Sequence, residues 1–390
     1  MKKGDVAMAV DRSSRVIGYR RDLHRIPELG FQEVKTQNYL QTALKAMGLT
    51  PRVIATTGLV VDIPGESSGK TVALRADIDG LPLHEDTGLS FSSQHEGVMH
   101  ACGHDAHMAI ALQAAAEFVA SPTYPGTVRI LFQPAEERPP GGAPSMIEEG
   151  ALMDVDEIFG LHVWSLYPTG TVGLRAGATM ANADQFRIRI KGRGGHGSEP
   201  ENTQDAVLIA SQIVLNLQTI VSRRVSAMQP VVISCGTIQA GQTFNIIAER
   251  AEITGTVRTL DSTVQHHVIE EMHHIVQTTA ALYGAEATLD YEYGYPVVMN
   301  HESAVALWEQ QLGDLVDIPY RQPLLGGEDF AHYLQAVPGA FLFLGAKPKG
   351  EGFPHHSPHF DIDEEALALG VEVLKRVALA ALSDRGREAQ

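Results

Sequence analysis

The chain has 390 residues, 44% apolar and 20% charged, enough apolar material for a large core and not the composition of a disordered protein. Thirty Lys and Arg against 47 Asp and Glu leave a net charge of −17, which excludes the basic footprint of a nucleic-acid or anionic-membrane binder. Two cysteines, Cys102 and Cys235, are too few for a disulfide framework; no apolar run nears the ~20 residues of a membrane span, and the start is polar, so a cytoplasmic protein without a membrane segment is expected.

In chain order the first elements are helical, from Arg12 to about Gly48, broken at Pro27 and closed by Gly48 as a C-cap. Short apolar runs follow at Leu59–Val61, Thr71–Arg75, Thr127–Phe132 and Glu157–Leu161, with an alanine-rich buried helix over Met108–Ala120 between them. Continuous apolar strands alternating with helices predict an α/β fold: a mixed, mostly parallel sheet with helices on both faces. From about Asp184 the pattern changes. Phe186, Ile188 and Ile190 alternate with Arg187, Arg189 and Lys191, the period-2 signature of a strand with one wet face. A helix over Thr203–Arg224, strands over Val231–Ile238 and Ala251–Leu260, a helix over Val264–Leu282 and a strand through Leu289, Tyr291 and Tyr293 complete an α+β unit of the split βαβ type. The α/β style resumes with a strand at Phe341–Leu344 and a helix over Asp363–Leu382, and the tail after Ser383 reads as frayed. A domain over 184–294 is thus expected to be inserted into a larger one built from 1–183 and 295–390.

Chemistry concentrates at the ends of the larger domain's strands. Thr71–Arg75 runs into Asp77-Ile78-Asp79, Thr127–Phe132 into Gln133-Pro134-Ala135-Glu136-Glu137, Glu157–Leu161 into His162, and Phe341–Leu344 toward a loop with His355, His356 and His359. In open α/β sheets ligands gather outside the carboxyl ends of strands. The block His100-Ala101-Cys102-Gly103-His104-Asp105-Ala106-His107 precedes the alanine-rich helix, whose N-terminus is expected to face the same edge. Sulfur, nitrogen and oxygen donors together suit zinc or manganese, and a thiolate between two ions explains an unpaired cysteine beside a histidine. Such sites suit hydrolysis. Of the adjacent Glu136 and Glu137, one would be a ligand and the other a proton carrier.

Several motifs occur in order: Leu23-His24-Arg25-Ile26-Pro27-Glu28-Leu29-Gly30-Phe31, Arg75 to Pro82, His100 to His107, Gln133 to Glu137, Gly160-Leu161-His162-Val163-Trp164, Gly194-Gly195-His196-Gly197-Ser198 and His356-Ser357-Pro358. The sequence resembles the amidohydrolase branch of the aminoacylase/carboxypeptidase metallopeptidases, which includes hippurate hydrolases, N-acyl-amino-acid amidohydrolases and auxin-conjugate hydrolases. The resemblance implies two divalent ions per subunit (manganese, zinc, cobalt or nickel), with Cys102 bridging, Glu137 and His356 on one ion, and His104 and His162 on the other. It implies Glu136 as general base and later acid, and His196 of a dimer partner as oxyanion stabiliser. Asn245 matches an asparagine near the substrate, Arg258 is a further candidate there, and Asp79 is expected to orient a ligand histidine.

Two departures stand out: Asp77-Ile78-Asp79 occupies the place of a His-x-Asp found in the broader superfamily, and Arg138-Pro139-Pro140 follows Glu137 where glycines are usual. The implied substrates are N-acyl-amino acids or short peptides, and the implied assembly is a homodimer or higher homo-oligomer. Dipeptidase or carboxypeptidase activity, or N-acetyl-diaminopimelate deacetylation, could use the same residues. A non-catalytic binding protein on this scaffold would be expected to have lost a ligand or the base, and this sequence keeps them all.

Overall fold

The computed structural model describes residues 3–384, and side chains from residue 12 on; the tail that the sequence reads as frayed, 385–390, lies outside them. The chain forms two compact units. The larger takes the chain up to Thr179, Met299–Gln322 and the chain from Asp329 on; the smaller takes Met180–Val298 and Pro323–Glu328.

The larger unit is built on an eight-stranded mixed sheet. Its centre is four neighbouring parallel strands, Pro125–Gln133, Ser67–Asp77, Glu157–Trp164 and Gly339–Gly345. Their carboxyl ends therefore lie along one edge. Gly339–Gly345 is buried at every residue, as expected of a strand covered on both faces. Successive side chains of a strand point to opposite faces, and Phe159 and Gly160 show what covers each. Phe159 packs on Trp308 of the helix Glu302–Leu312, while bare Gly160 leaves room for Phe330, whose ring would stand 2.8 Å from an added Cβ. The antiparallel strands Gly58–Pro64 and Arg52–Ile54 extend one side of the sheet; Thr171–Gly173 and Asp317–Tyr320 extend the other.

The alanine-rich helix spans His104–Ala120 and is buried along almost its whole length. It starts earlier than its apolar periodicity suggests, because Gly103, at φ 87°, turns the chain into it. A Cβ on Gly103 would also meet Val163 at 2.4 Å, so the position is closed to other residues on two counts. His104 to His107 are thus the helix's first turn rather than a loop before it.

In the smaller unit the strands Val231–Ala240, Arg250–Thr259, Ala183–Lys191 and Glu286–Tyr295 pair antiparallel in that spatial order. Phe186, Ile188 and Ile190 face a core shared with the helices Ala206–Thr219 and Ser262–Leu282. Asp205 and Asp261 cap these helices through their first-turn amides. Contrary to the sequence expectation, one stretch, Ala206–Arg224, is long and apolar enough to cross a membrane by length and composition. Its Ile209, Ala210, Ile213 and Leu217 pack into the unit's core.

Candidate metal centre

The strand ends of the larger unit bring the sequence-selected donors together. Ligand atoms of Cys102, His104 and His162 all lie within 4.8 Å of one another, and so do those of Cys102, Glu137 and His356. The two triads share one sulfur. Cys102 Sγ stands 3.4 Å from His162 Nε2, and His356 Nε2 stands 3.0 Å from Glu137 Oε1. Cys102, His104 and His162 are buried; His356 is at the exposed rim, with φ 65°, and its amide donates to Ala101 O at 2.9 Å.

Hydrogen bonds on the far side of each ring set which nitrogen is presented. His104 Nδ1 donates to Asp79 O at 2.9 Å, with Asp79 Oδ1 at 3.3 Å, and its Nε2 is buried without a hydrogen-bond partner. His162 Nδ1 donates to Val163 O at 2.7 Å, leaving Nε2 toward the thiol. Both rings therefore turn Nε2 inward, the usual arrangement of ligand imidazoles held from behind. Burial pushes His162 well below the ordinary histidine value and keeps it neutral. Burial also opposes a charge on His104, but Asp77 and Asp79 outweigh it and raise the ring to about 10. The Cys102 thiol is held well above its ordinary value by burial and then by Glu137 and Glu136. A cation bound here must displace those protons, which ties affinity to pH. An orphaned buried Nε2, two donor triads and a shared sulfur fit two borderline divalent cations.

Asp79 does more than orient His104. Its two carboxylate oxygens accept the backbone N–H groups of Glu136 and Glu137, each at 3.0 Å. Glu136 lies with His104 and Glu137 in a third set of donor atoms within 4.8 Å.

Other histidines of the same motifs are turned to different tasks. His107 Nδ1 donates to Asp77 at 2.6 Å, while its Nε2 accepts the Val163 amide at 2.9 Å, so neither nitrogen is open to a metal. Asp77 is also held by Arg75, which bonds Gln133 and Asp329 as well. His355 Nε2 donates to Val163 O and His359 Nδ1 to Asp86 O. After Glu137, the Arg138-Pro139-Pro140 segment carries a cis Pro139–Pro140 bond and leads to Gly141, packed on Asp329.

Behind the centre lies a charged cluster that the sequence reading did not single out. His24 Nδ1 bonds Asp105 at 2.8 Å and Nε2 reaches Glu85 at 3.3 Å, while Arg20 also bonds Asp105. Burial opposes the charge on His24, but Asp105 and Glu85 prevail and raise it to about 9. A folded value above the ordinary 6.5 stabilises the fold fully below pH 6.5 and ceases to do so as pH rises through 9. The difference corresponds to about 3 kcal/mol. Thermal unfolding of the metal-free protein between pH 6 and 10 should therefore show a falling midpoint that is less steep in His24→Gln, the remaining fall coming in part from His104, which is also raised, to about 10.

In the smaller unit, His196 and Asn245 meet on one short ribbon, where Gly195–His196 pairs with Ile246–Ile247 and Gly197 N donates to Asn245 O at 2.9 Å. His196 is exposed, and its Nδ1 accepts the Ser198 amide at 3.2 Å, leaving Nε2–H as a donor. Arg258 lines a cavity of about 680 Å³ on the sheet, with Arg187, Arg189, Thr254 and Thr256. Arg187 and Arg189 are paired with Glu252 and Asp290, but among the described residues no carboxylate is within ion-pair distance of Arg258, whose pKa is lowered by burial.

A strand-end cluster of these donors, on a mostly parallel sheet covered by helices and interrupted by an α+β unit, defines a metallopeptidase-type hydrolase. The model of peptidase family M20/M25/M40 matches residues 73–380. The chain is 42% identical over 359 residues to the N-acetyldiaminopimelate deacetylase of Priestia megaterium, covering 90% of this chain and 95% of that one. It is 40% identical over 362 residues to thermostable carboxypeptidase 1 of Saccharolobus solfataricus, covering 91% and 92%. The crystal structure of Bacillus subtilis YXEP, described as a dinuclear metal binding peptidase of the M20 family, superimposes with a TM-score of 0.85 at 35% identity, over 95% of this chain and 99% of that one. The chain belongs to peptidase family M20/M25/M40, in its amidohydrolase branch, and is a metal-dependent amidohydrolase-type enzyme.

Proposed function

We propose that the enzyme hydrolyses the amide bond of N-acyl-amino acids, releasing a carboxylic acid and an amino acid. The observation that carries the reading is the pair of donor triads sharing Cys102, with Glu136 beside them. Cys102, His104 and His162 would hold one divalent ion and Cys102, Glu137 and His356 the other, manganese, zinc, cobalt or nickel being compatible with the donors. When bound, such ions polarise an amide carbonyl and make water a better nucleophile at neutral pH.

Glu136 takes the proton of the attacking water and delivers it to the leaving nitrogen. Asp79 fixes its backbone and that of Glu137 while steadying His104. His196 donates Nε2–H to the developing oxyanion. Arg258, which makes no ion pair among the described residues, takes the substrate carboxylate, and Asn245 its polar backbone. Because His196 would serve the partner's site, the enzyme acts as a homodimer. Exposed Val207, Leu208 and Leu215 on one helix, and Ile238 on the edge strand Val231–Ala240, support a second copy as the covering surface. Two free cysteines accord with a reducing, cytoplasmic setting.

Relatives that carry deacetylase and carboxypeptidase names keep peptide hydrolysis as the second reading. A hydrolysis panel on manganese-, zinc- and cobalt-loaded protein separates them: benzoyl-glycine, several N-acetyl-amino acids, N-acetyl-diaminopimelate and dipeptides, each with a chelator control. Chelator-sensitive release from an N-acyl class is expected. Cleavage of dipeptides alone would replace the first reading with the second.

A further inference from the structure

The motif from Leu23 to Phe31 and the residues that follow it precede the stretch matched by the family model, which begins at residue 73, and no part of the reaction above uses them. Yet this segment touches the strand ends closely. Leu29 forms a bridge with Gly80, Glu28 O accepts the Gly80 amide at 2.8 Å, and Gly30 lies so close to Ala135 that an added Cβ would stand 2.9 Å from its Cα and Cβ.

Glu33 is the decisive contact. It sits at the N-cap of the helix Val34–Ala46, where a carboxylate ordinarily serves the helix's own first-turn amides, but its side chain makes no such bond. Glu28 serves Thr36 instead, accepting both its amide and its hydroxyl. The buried Glu33 carboxylate is turned away: Oε1 accepts the Ala135 amide at 2.9 Å and Oε2 the Thr57 hydroxyl at 2.5 Å.

Ala135 is the residue before Glu136 and holds φ 55°, a left-handed conformation that L side chains rarely adopt. Such a conformation persists only where its surroundings over-determine it. Three successive amides of this turn, those of Ala135, Glu136 and Glu137, are each accepted by a buried carboxylate, Glu33 for the first and Asp79 for the other two. Asp79 reaches only the second and third of these amides, and Glu33 holds the first. Catalytic groups must be held to within a fraction of an ångström to work, so the anchor at Ala135 decides where the Glu136 carboxylate points.

We infer that Glu33 is a positioning residue for the general base: by accepting the Ala135 amide it locks the left-handed turn from which Glu136 projects. The inference rests on the reading of Glu136 given above. Glu33→Ala should lower kcat by about 10- to 100-fold, with KM and metal per chain within about twofold of wild type, since misplacement of a reacting group costs rate rather than binding. In the metal-free protein it should also speed hydrogen exchange of the Ala135 amide, while core amides of the helix His104–Ala120 keep their protection. Glu33→Gln should restore both, because its carbonyl can accept the Ala135 amide and its NH₂ can donate to Thr57.

Unchanged exchange at Ala135 in Glu33→Ala overturns the inference whatever the activity. So does a loss of activity that merely follows metal content or thermal stability, or a Glu33→Gln enzyme as slow as Glu33→Ala. Should Glu33→Ala fail to fold, Glu33→Leu fills most of the same space without an acceptor for the Ala135 amide and should give the same fall in kcat and the same exchange signature; wild-type exchange there would equally refute it. If Glu136→Gln keeps full turnover, the assignment of the base fails, whereas the exchange measurements still decide whether Glu33 holds the turn.

Discussion

Glu136→Gln is expected to bind its full complement of metal and to have almost no turnover. The amide has the size of the carboxylate, and the backbone N–H that Asp79 accepts at 3.0 Å is untouched, so the turn and the neighbouring Glu137 should stay in place. What is lost is the ability to take a proton from water and return it to the leaving nitrogen. General acid–base catalysis contributes about 10²- to 10⁴-fold, and a fall in kcat of about 10³-fold corresponds to about 4 kcal/mol in the barrier. KM should stay within about threefold, because the interaction removed is made in the transition state. Elemental analysis alongside kinetics on the best substrate of the panel checks both halves. A variant with the wild-type rate would show that the base lies elsewhere.

Cys102→Ala should lose metal and activity together. Its sulfur is the one atom common to both donor triads, so removing it takes a donor from each. In the metal-free protein the thiol is kept protonated by burial and by Glu137 and Glu136, so binding to the wild type should release a proton and weaken as the pH falls. Titration should give less than one ion per alanine chain against two for the wild type, and the rise in melting temperature on adding metal should largely disappear. Full occupancy in the variant would refute a bridging role. The two substitutions are complementary: one separates chemistry from metal binding, and the other joins them.

Much of the larger unit was legible because fully buried parallel strands leave continuous apolar runs, as at Phe341–Leu344, and because chemistry collects where such runs end. The small unit was legible for the opposite reason: Phe186, Ile188 and Ile190 alternate with charges on a half-wet sheet. Short or edge elements left weaker signals. Thr171–Gly173 has only three residues, too few for a period, and the helix Phe330–Ala336 only seven. Nothing in the composition of Pro323–Glu328 tells that this segment belongs to the smaller unit. The membrane-like apolarity of Ala206–Arg224 was underrated because polar residues interrupt it in sequence while its apolar residues recur at helical spacing.

By itself, then, the sequence determined the fold class, the split into a doubly covered sheet and an inserted α+β unit, and the pool of sulfur, imidazole and carboxylate donors gathered at strand ends. Local pattern suffices for these, because period and residue type are properties of neighbouring residues. Tertiary structure alone decided which histidine presents an open nitrogen. His104 and His107 stand one helical turn apart in the same motif, yet one has its back to Asp79 and an orphaned Nε2, and the other spends both nitrogens on Asp77 and the Val163 amide. It also decided that Glu33, about a hundred residues before Ala135, turns away from its own helix to hold the turn carrying Glu136. An imidazole or carboxylate acquires its role from the partner that occupies its remaining hydrogen-bonding capacity, and that partner is supplied by a distant part of the chain.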